Sequence, residues 1–277
     1  MDDPLSWLTR DTASGSLPVR EGQFHRVVMG SDRVVCLPRT EAAAVRLPRR
    51  AAMLRVLDEL GLGFRIPLPL FEGAGEAPYL VLSRVPGAPL EGGALDDPAV
   101  AGAVAEQYAE LLGALARAGA DERARAALPR TPEDRWRRFE ADVRAELFGL
   151  MSGAGRRRAE RELAAASRLP HVATAVAHGD LGAENVLWEL DGGRPRLGGV
   201  IDWDEVAIGD PAEDLAAIAA SHGEAFLERV LALGGWTDAE TAARVAAIRG
   251  TFALQQALDA HRDGDAEELA DGLTHYR

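Results

Sequence analysis

The sequence contains no lysine, because all 31 of its basic residues are arginine. A Walker-type phosphate loop needs a Gly-Lys-Ser/Thr run and is therefore excluded. Any step that ordinarily uses lysine must use something else. Cysteine is almost missing too, and Cys36 alone allows neither an intrachain disulfide nor a zinc site of clustered cysteines. No uninterrupted apolar run approaches membrane-spanning length. The acidic opening Met1-Asp2-Asp3-Pro4 lacks the basic-then-apolar plan of a signal peptide. A formal net charge of −13 argues against a nucleic-acid partner and favours a cationic ligand, although acidic totals more often serve only solubility. These absences lead to the expectation of a cytoplasmic enzyme without membrane or nucleic-acid partners. They leave its oligomeric state open.

What is present has the texture of an ordinary globular protein, with 47% hydrophobic and 27% charged residues over 277 positions. That length holds one large domain or two modest lobes. Strand-like runs occupy 17–19, 24–29 and 34–37, with Gly30-Ser31-Asp32 as a hairpin turn. Thr40 and Gly61 bracket a helix over 41–60, whose Met53, Leu54, Leu57 and Leu60 recur at helical spacing. Two more strand-like runs follow at 67–71 and 78–82. The expected product is a small antiparallel sheet of about five strands with one helix across it. In the turn Gly22-Gln23-Phe24-His25, backbone N–H groups would face phosphates, although a plain hairpin turn fits the same residues equally well.

Ser83-Arg84-Val85-Pro86-Gly87 breaks the pattern and reads as a linker whose backbone could pair with an adenine. It suggests a nucleotide-binding lobe over 1–84 and a helical lobe over 85–277. Within the second part, Val100, Val104, Tyr108, Leu111 and Leu115 trace one face of a long helix. Gly153 and Gly155 read as an interruption before a charged helix over 156–169. Asp210 and Pro211 mark a further helix start, and Asp214 in its first turn is expected to accept hydrogen bonds from loop amides.

The chemistry concentrates in His178-Gly179-Asp180-Leu181-Gly182-Ala183-Glu184-Asn185-Val186-Leu187-Trp188 and in Val200-Ile201-Asp202-Trp203-Asp204. Asn185 opens a short strand-like run, and a return run over 196–201 delivers Asp202 at its end. Such a hairpin brings together an amide and a carboxylate, two hard oxygen ligands suited to Mg²⁺ beside a phosphate. Asp180, just ahead, is placed to take a proton from an attacking hydroxyl. Base, amide ligand and acidic ligand in that order are the working parts of a kinase-type site.

These segments, together with Gly209-Asp210-Pro211-Ala212-Glu213-Asp214, resemble the aminoglycoside phosphotransferase family of antibiotic kinases over nearly the whole chain. The runs Glu21 to His25, Val34 to Leu37, Pro78 to Arg84, His178 to Trp188 and Phe252 to Ala257 resemble in particular the branch that acts on viomycin and capreomycin. The resemblance implies an α+β, protein-kinase-like fold of two lobes and transfer of the ATP γ-phosphoryl group to a hydroxyl of a cationic cyclic peptide. GTP in place of ATP is left open. Asp180 takes the family's catalytic position, Asn185 and Asp202 its magnesium positions, and Ser83 and Val85 those whose backbone meets the adenine. His178 takes the position of a loop scaffold.

The sequence departs from the family at its phosphate anchor. Where the family carries a strand lysine and a helix glutamate, this chain has Cys36 and Arg50. Arg50 is then expected on the nucleotide phosphates, with Arg39 next in line and a solvated helix face beside Arg46, Arg49 and Arg55 as the alternative. For the cationic antibiotic the acidic candidates are Asp204 and Glu205, then Asp259, Asp263 and Asp265. Two further readings stand beside this one: a kinase for another small molecule such as an aminoglycoside, a macrolide, homoserine or choline, and a nucleotide-binding pseudokinase.

Overall fold

Short apolar runs broken by turns give the first third of the chain its sheet. Strands β1 (Val19–Glu21), β2 (His25–Met29), β3 (Arg33–Pro38), β4 (Pro69–Gly73) and β5 (Tyr79–Ser83) pair antiparallel in the order β1-β2-β3-β5-β4. The structure is a computed structural model that describes residues 17–21, 25–75 and 77–277. Gly22, Gln23 and Phe24 of the suggested phosphate turn lie outside the described residues. Gly30 closes the β2–β3 turn, its N–H donating to the Arg33 carbonyl at 2.8 Å.

Helix α1 (Glu41–Glu59) begins where the Thr40 hydroxyl accepts the Ala43 N–H at 3.1 Å. It ends at Gly61, whose φ of +62° suits glycine best. Its buried Leu47, Ala51, Leu54 and Leu57 pack towards β3, β4 and β5. Each such leucine contributes roughly 1.5–3 kcal/mol of hydrophobic stabilisation.

The chain from Pro98 onward is mainly helical. Helices α2 (Pro98–Ala118), α3 (Glu122–Ala127), α4 (Arg135–Glu146) and α5 (Gly153–Ser167) lead to the short strand β6 (Ala175–Ala177). The hairpin β7 (Val186–Asp191) and β8 (Arg194–Val200) follows, and then β9 (Ala207–Gly209), which pairs back on β6. Helices α6 (Ala212–His222), α7 (Glu224–Gly234), α8 (Ala239–Arg249), α9 (Phe252–Asp263) and α10 (Ala266–Gly272) complete the described chain. Asp97 caps α2 by accepting the Ala99 N–H, and Val104, Tyr108, Leu111 and Leu115 are buried along the expected face. No described helix is long and apolar enough to cross a membrane.

One expectation is corrected at α5. Gly153 and Gly155 do not interrupt a helix but form its first turn, capped by Ser152, whose hydroxyl accepts the Gly155 N–H at 3.0 Å. Gly155 is required by packing, since a Cβ there would lie 1.8 Å from the Tyr276 carbonyl oxygen. A glycine chosen for close approach reads in sequence like a helix breaker.

The sheet and the β7–β8 hairpin are stitched together at two places. Val200 N–H donates to the Arg65 carbonyl at 2.9 Å, and Ala88 and Trp188 exchange backbone hydrogen bonds at 3.0 and 2.8 Å. Gly87, at φ +100°, approaches so closely that a Cβ would meet the Trp188 carbonyl oxygen at 2.6 Å. One apolar core runs from α1 through α2 and the hairpin to α8, and a second joins α4, α5 and α9.

Candidate active site

The β6–β9 ladder holds the two loops that carry the polar residues. From β6 the chain enters the 178–182 loop, and His178 is completely buried at its start. Its Nε2 lies 2.9 Å from the Ile201 carbonyl, while Nδ1 accepts the Asp180 N–H at 3.2 Å. These partners fix a neutral ring, and burial lowers its pKa to about 4. His178 is therefore a brace between the two loops, as expected.

Asp214, in the first turn of α6, accepts the His178 N–H at 2.9 Å and the Gly179 N–H at 3.0 Å. Gly179 has φ +88°, and a Cβ there would press on Glu205 at 2.9 Å. The motif around Asp210 has a similar job. Asp210 accepts the Ala212 N–H at 3.0 Å and forms a buried ion pair with Arg244 of α8.

Asp180 emerges from this scaffold exposed. Its Oδ2 accepts a hydrogen bond from Asn185 Nδ2 at 2.9 Å, which leaves Oδ1 free of described partners. Partial burial and the charges of Glu184 and Asp202 raise its pKa, against the Asn185 hydrogen bond. Glu184 was not singled out in the sequence, although its place next to Asn185 was the available signal.

Asn185 differs slightly from expectation, closing a single 3₁₀ turn over Ala183–Asn185 rather than opening β7. Its carbonyl accepts the Ile201 N–H at 2.9 Å, so the residue before Asp202 is locked onto it. Asp202 is the one non-glycine at positive φ (62°) among the described residues. A non-glycine in that region is held there by its surroundings and points to a functional position. The hairpin thus brings Asn185 and Asp202 into one neighbourhood.

Arg50 reaches the same neighbourhood from α1. Its Nε lies 2.8 Å from Asp204 Oδ1, its Nη2 3.9 Å from Asp202 Oδ1, and its Nη1 3.3 Å from His25 Nδ1. With its side chain only 13% exposed, Arg50 does not lie on a solvated helix face. Cys36 is buried in the main core and feels the charges of Arg50, Asp204 and Asp202. Burial and Asp202 raise the Asp204 pKa to about 6, Arg50 opposing them. Asp204, a candidate for the antibiotic, is paired with Arg50.

The other acidic candidates separate. Exposed Glu205 acts electrostatically on both Asp180 and Asp259, and Asp263 acts on Asp259. Partial burial raises the Asp259 pKa, against the charge of Arg262 and with its acidic neighbours adding to the rise. Asp265 is a helix cap, accepting the N–H groups of Glu267 and Glu268 at 3.1 and 3.0 Å. An N-cap aspartate and a ligand-binding aspartate look alike in sequence.

Ser83 and Val85 line a cavity of about 810 Å³ together with Leu57, Phe64, Arg65 and Gly198. None of Asp180, Asn185 and Asp202 borders it, so it is distinct from the cluster of catalytic candidates. Ser83 is tied into the sheet, its N–H donating to the Leu68 carbonyl and its hydroxyl accepting the Leu68 N–H, both at 2.8 Å.

Comparison with known proteins adds independent findings. Residues 20–272 match the family described as "Phosphotransferase enzyme family". A viomycin phosphotransferase from Streptomyces vinaceus is 64% identical over 279 residues, covering 99% of this chain and 97% of its own. Among solved structures, the GDP complex of an aminoglycoside 2′-phosphotransferase-IIIa has a TM-score of 0.81 at 21% identity, covering 99% of this chain and 97% of that chain. A macrolide 2′-phosphotransferase type I has a TM-score of 0.73 at 25% identity, covering 95% and 91%.

Proposed function

The chain belongs to the phosphotransferase enzyme family, and from that premise we propose that it transfers the γ-phosphoryl group of ATP to a hydroxyl of a viomycin-type cyclic peptide. The observation that carries the mechanism is the Asp180–Asn185 hydrogen bond, locked beside Asp202 by the bond from Ile201 to Asn185. Asp180 Oδ2 is held by the amide, so Oδ1 is the atom that takes the hydroxyl proton. A positioned general base of this kind supplies about 10²–10⁴-fold in rate.

Asn185 and Asp202 would hold Mg²⁺. The donor set fits: Asn185 uses its NH₂ on Asp180, which leaves its carbonyl oxygen for a cation, and Asp202 offers a half-exposed carboxylate. Among the described residues no group of three or more His, Cys, Asp or Glu side chains is arranged for a metal, so phosphate oxygens and water would complete the shell. Bound there, the metal would offset negative charge on the phosphates. Arg50 would add the guanidinium that stands in for lysine.

Residues 1–84 would serve as the nucleotide lobe, with the linker backbone at Ser83 and Val85 meeting the base, and 85–277 as the helical lobe. GTP stays an alternative donor. Glu205 and Asp259, which share one electrostatic field, would receive the cationic peptide. A cytoplasmic location suits this use of nucleotide. The test is transfer of radiolabelled phosphate from ATP and from GTP to viomycin, capreomycin, kanamycin and homoserine. Labelling of viomycin or capreomycin is expected. Labelling of kanamycin or homoserine alone would overturn the substrate assignment, and nucleotide binding without labelling would identify a pseudokinase.

A further inference from the structure

Three buried side-chain atoms among the described residues lack a hydrogen-bond partner: His25 Nε2, Arg50 Nε and Asp204 Oδ1. The last two face each other at 2.8 Å as an ion pair without hydrogen-bond alignment, so each is answered by charge. His25 Nε2 has no such answer.

The protonation of this ring follows from its neighbour. A guanidinium can only donate, so the 3.3 Å approach of Arg50 Nη1 makes His25 Nδ1 the acceptor. The ring proton then sits on Nε2. Burial, with the Arg50 charge adding to it, lowers the His25 pKa to about 4 and keeps the ring neutral. His25 is 8% exposed and presents an N–H donor with nothing described to receive it. Buried donors are nearly always paired, so the acceptor is expected to arrive with a ligand. Asp204 Oδ2 lies 3.9 Å from the other ring nitrogen and the Asp204 carboxylate pairs with Arg50, so these charges answer each other and the Nε2–H is the group left for that ligand. His25 opens β2, and Arg50 links its ring to Asp202, where the phosphates are proposed to bind.

We infer that His25 Nε2–H donates to a phosphate oxygen of the nucleotide, and that Arg50, itself held by Asp204, is the positioning residue that fixes the tautomer. The inference rests on the nucleotide-dependent function proposed above. It assigns a neutral donor and a paired cation, jointly, to the work of the missing lysine.

Titration calorimetry with ADP and with adenosine tests it without turnover. H25L is expected to weaken ADP binding by about 10-fold, the scale of one hydrogen bond to a charged group, and to leave adenosine unchanged. H25Q, whose amide can still donate, is expected to stay within about threefold of wild type. Nitrogen-15 spectra of the wild type provide a second readout that needs no variant. They should show the His25 proton on Nε2, displaced by ADP but not by adenosine, and R50M should populate the Nδ1–H form. Unchanged ADP affinity in H25L, an equal loss for adenosine, or an Nδ1–H ring in the wild type would overturn the inference. Wild-type protein that binds neither ADP nor ATP would instead overturn the parent reading.

Discussion

At the residue scale, Asp180 and Asp202 are both exposed carboxylates with different work, and substitution separates them. D180A is expected to lose about 10²–10⁴-fold in turnover while binding Mg·ATP as before, measured by steady-state kinetics and calorimetry. Near-normal turnover would remove Asp180 from the mechanism. D202N should instead weaken Mg·ATP binding, with little effect on ATP binding measured in EDTA. Equal affinities for Mg·ATP in D202N and wild type would sink the ligand assignment. These two candidates were legible in the sequence because residue type, order and spacing together point to them. The partner of Asp204 was not. Its ion pair joins α1 to the loop after β8 across 154 positions, and no local pattern announces such a contact. Arg50 was located by its departure from an expected residue, not by any signal of its own.

At the element scale, α6 anchors the loop that precedes Asp180. The two N–H bonds to Asp214 were anticipated because a carboxylate in a first helical turn is a ready acceptor. Burial nonetheless pushes Asp214 up to about 7, with the two N–H bonds opposing it. A pKa raised above the ordinary 3.8 favours the folded state most below that value. The contribution is lost as pH rises through about 7. D214N, which does not titrate, is expected to flatten this part of the stability curve, read as urea midpoints between about pH 4 and 8. A slope equal to that of wild type would show that Asp214 keeps its ordinary pKa. Helix α5 gives the opposite lesson about legibility. Glycine in a helix is usually replaced by alanine with a gain of about 1 kcal/mol. Here G155A puts a methyl group against the Tyr276 carbonyl, and overpacking of this sort costs about 1–3 kcal/mol. A lower melting temperature is expected, and a higher one would show that the chain around Tyr276 gives way easily.

At the scale of the whole molecule, the net charge of −13 bears on how a cationic substrate is held. Glu205 and Asp259 are exposed, so attraction for a cationic peptide should fade with salt. Viomycin affinity is expected to fall between about 0.05 and 0.5 M NaCl, and E205Q and D259N should each weaken it and reduce its salt sensitivity. An affinity indifferent to both salt and substitution would move the antibiotic elsewhere. The sequence foretold this acidic bias, along with the five-stranded sheet and the helical remainder. It did not foretell the cavity behind Ser83 and Val85, which forms only when α1, the linker and β8 come together.

The single thiol has a practical consequence. Cys36 is buried within the electrostatic reach of Arg50, and burial raises its pKa, so thiol reagents should find it inert in the folded protein. Its alkylation rate is then a clock for how often β3 and α1 part. Nucleotide that bridges His25 and Arg50 should slow that clock, which would allow ligand binding to be followed in an unmodified enzyme by mass spectrometry alone.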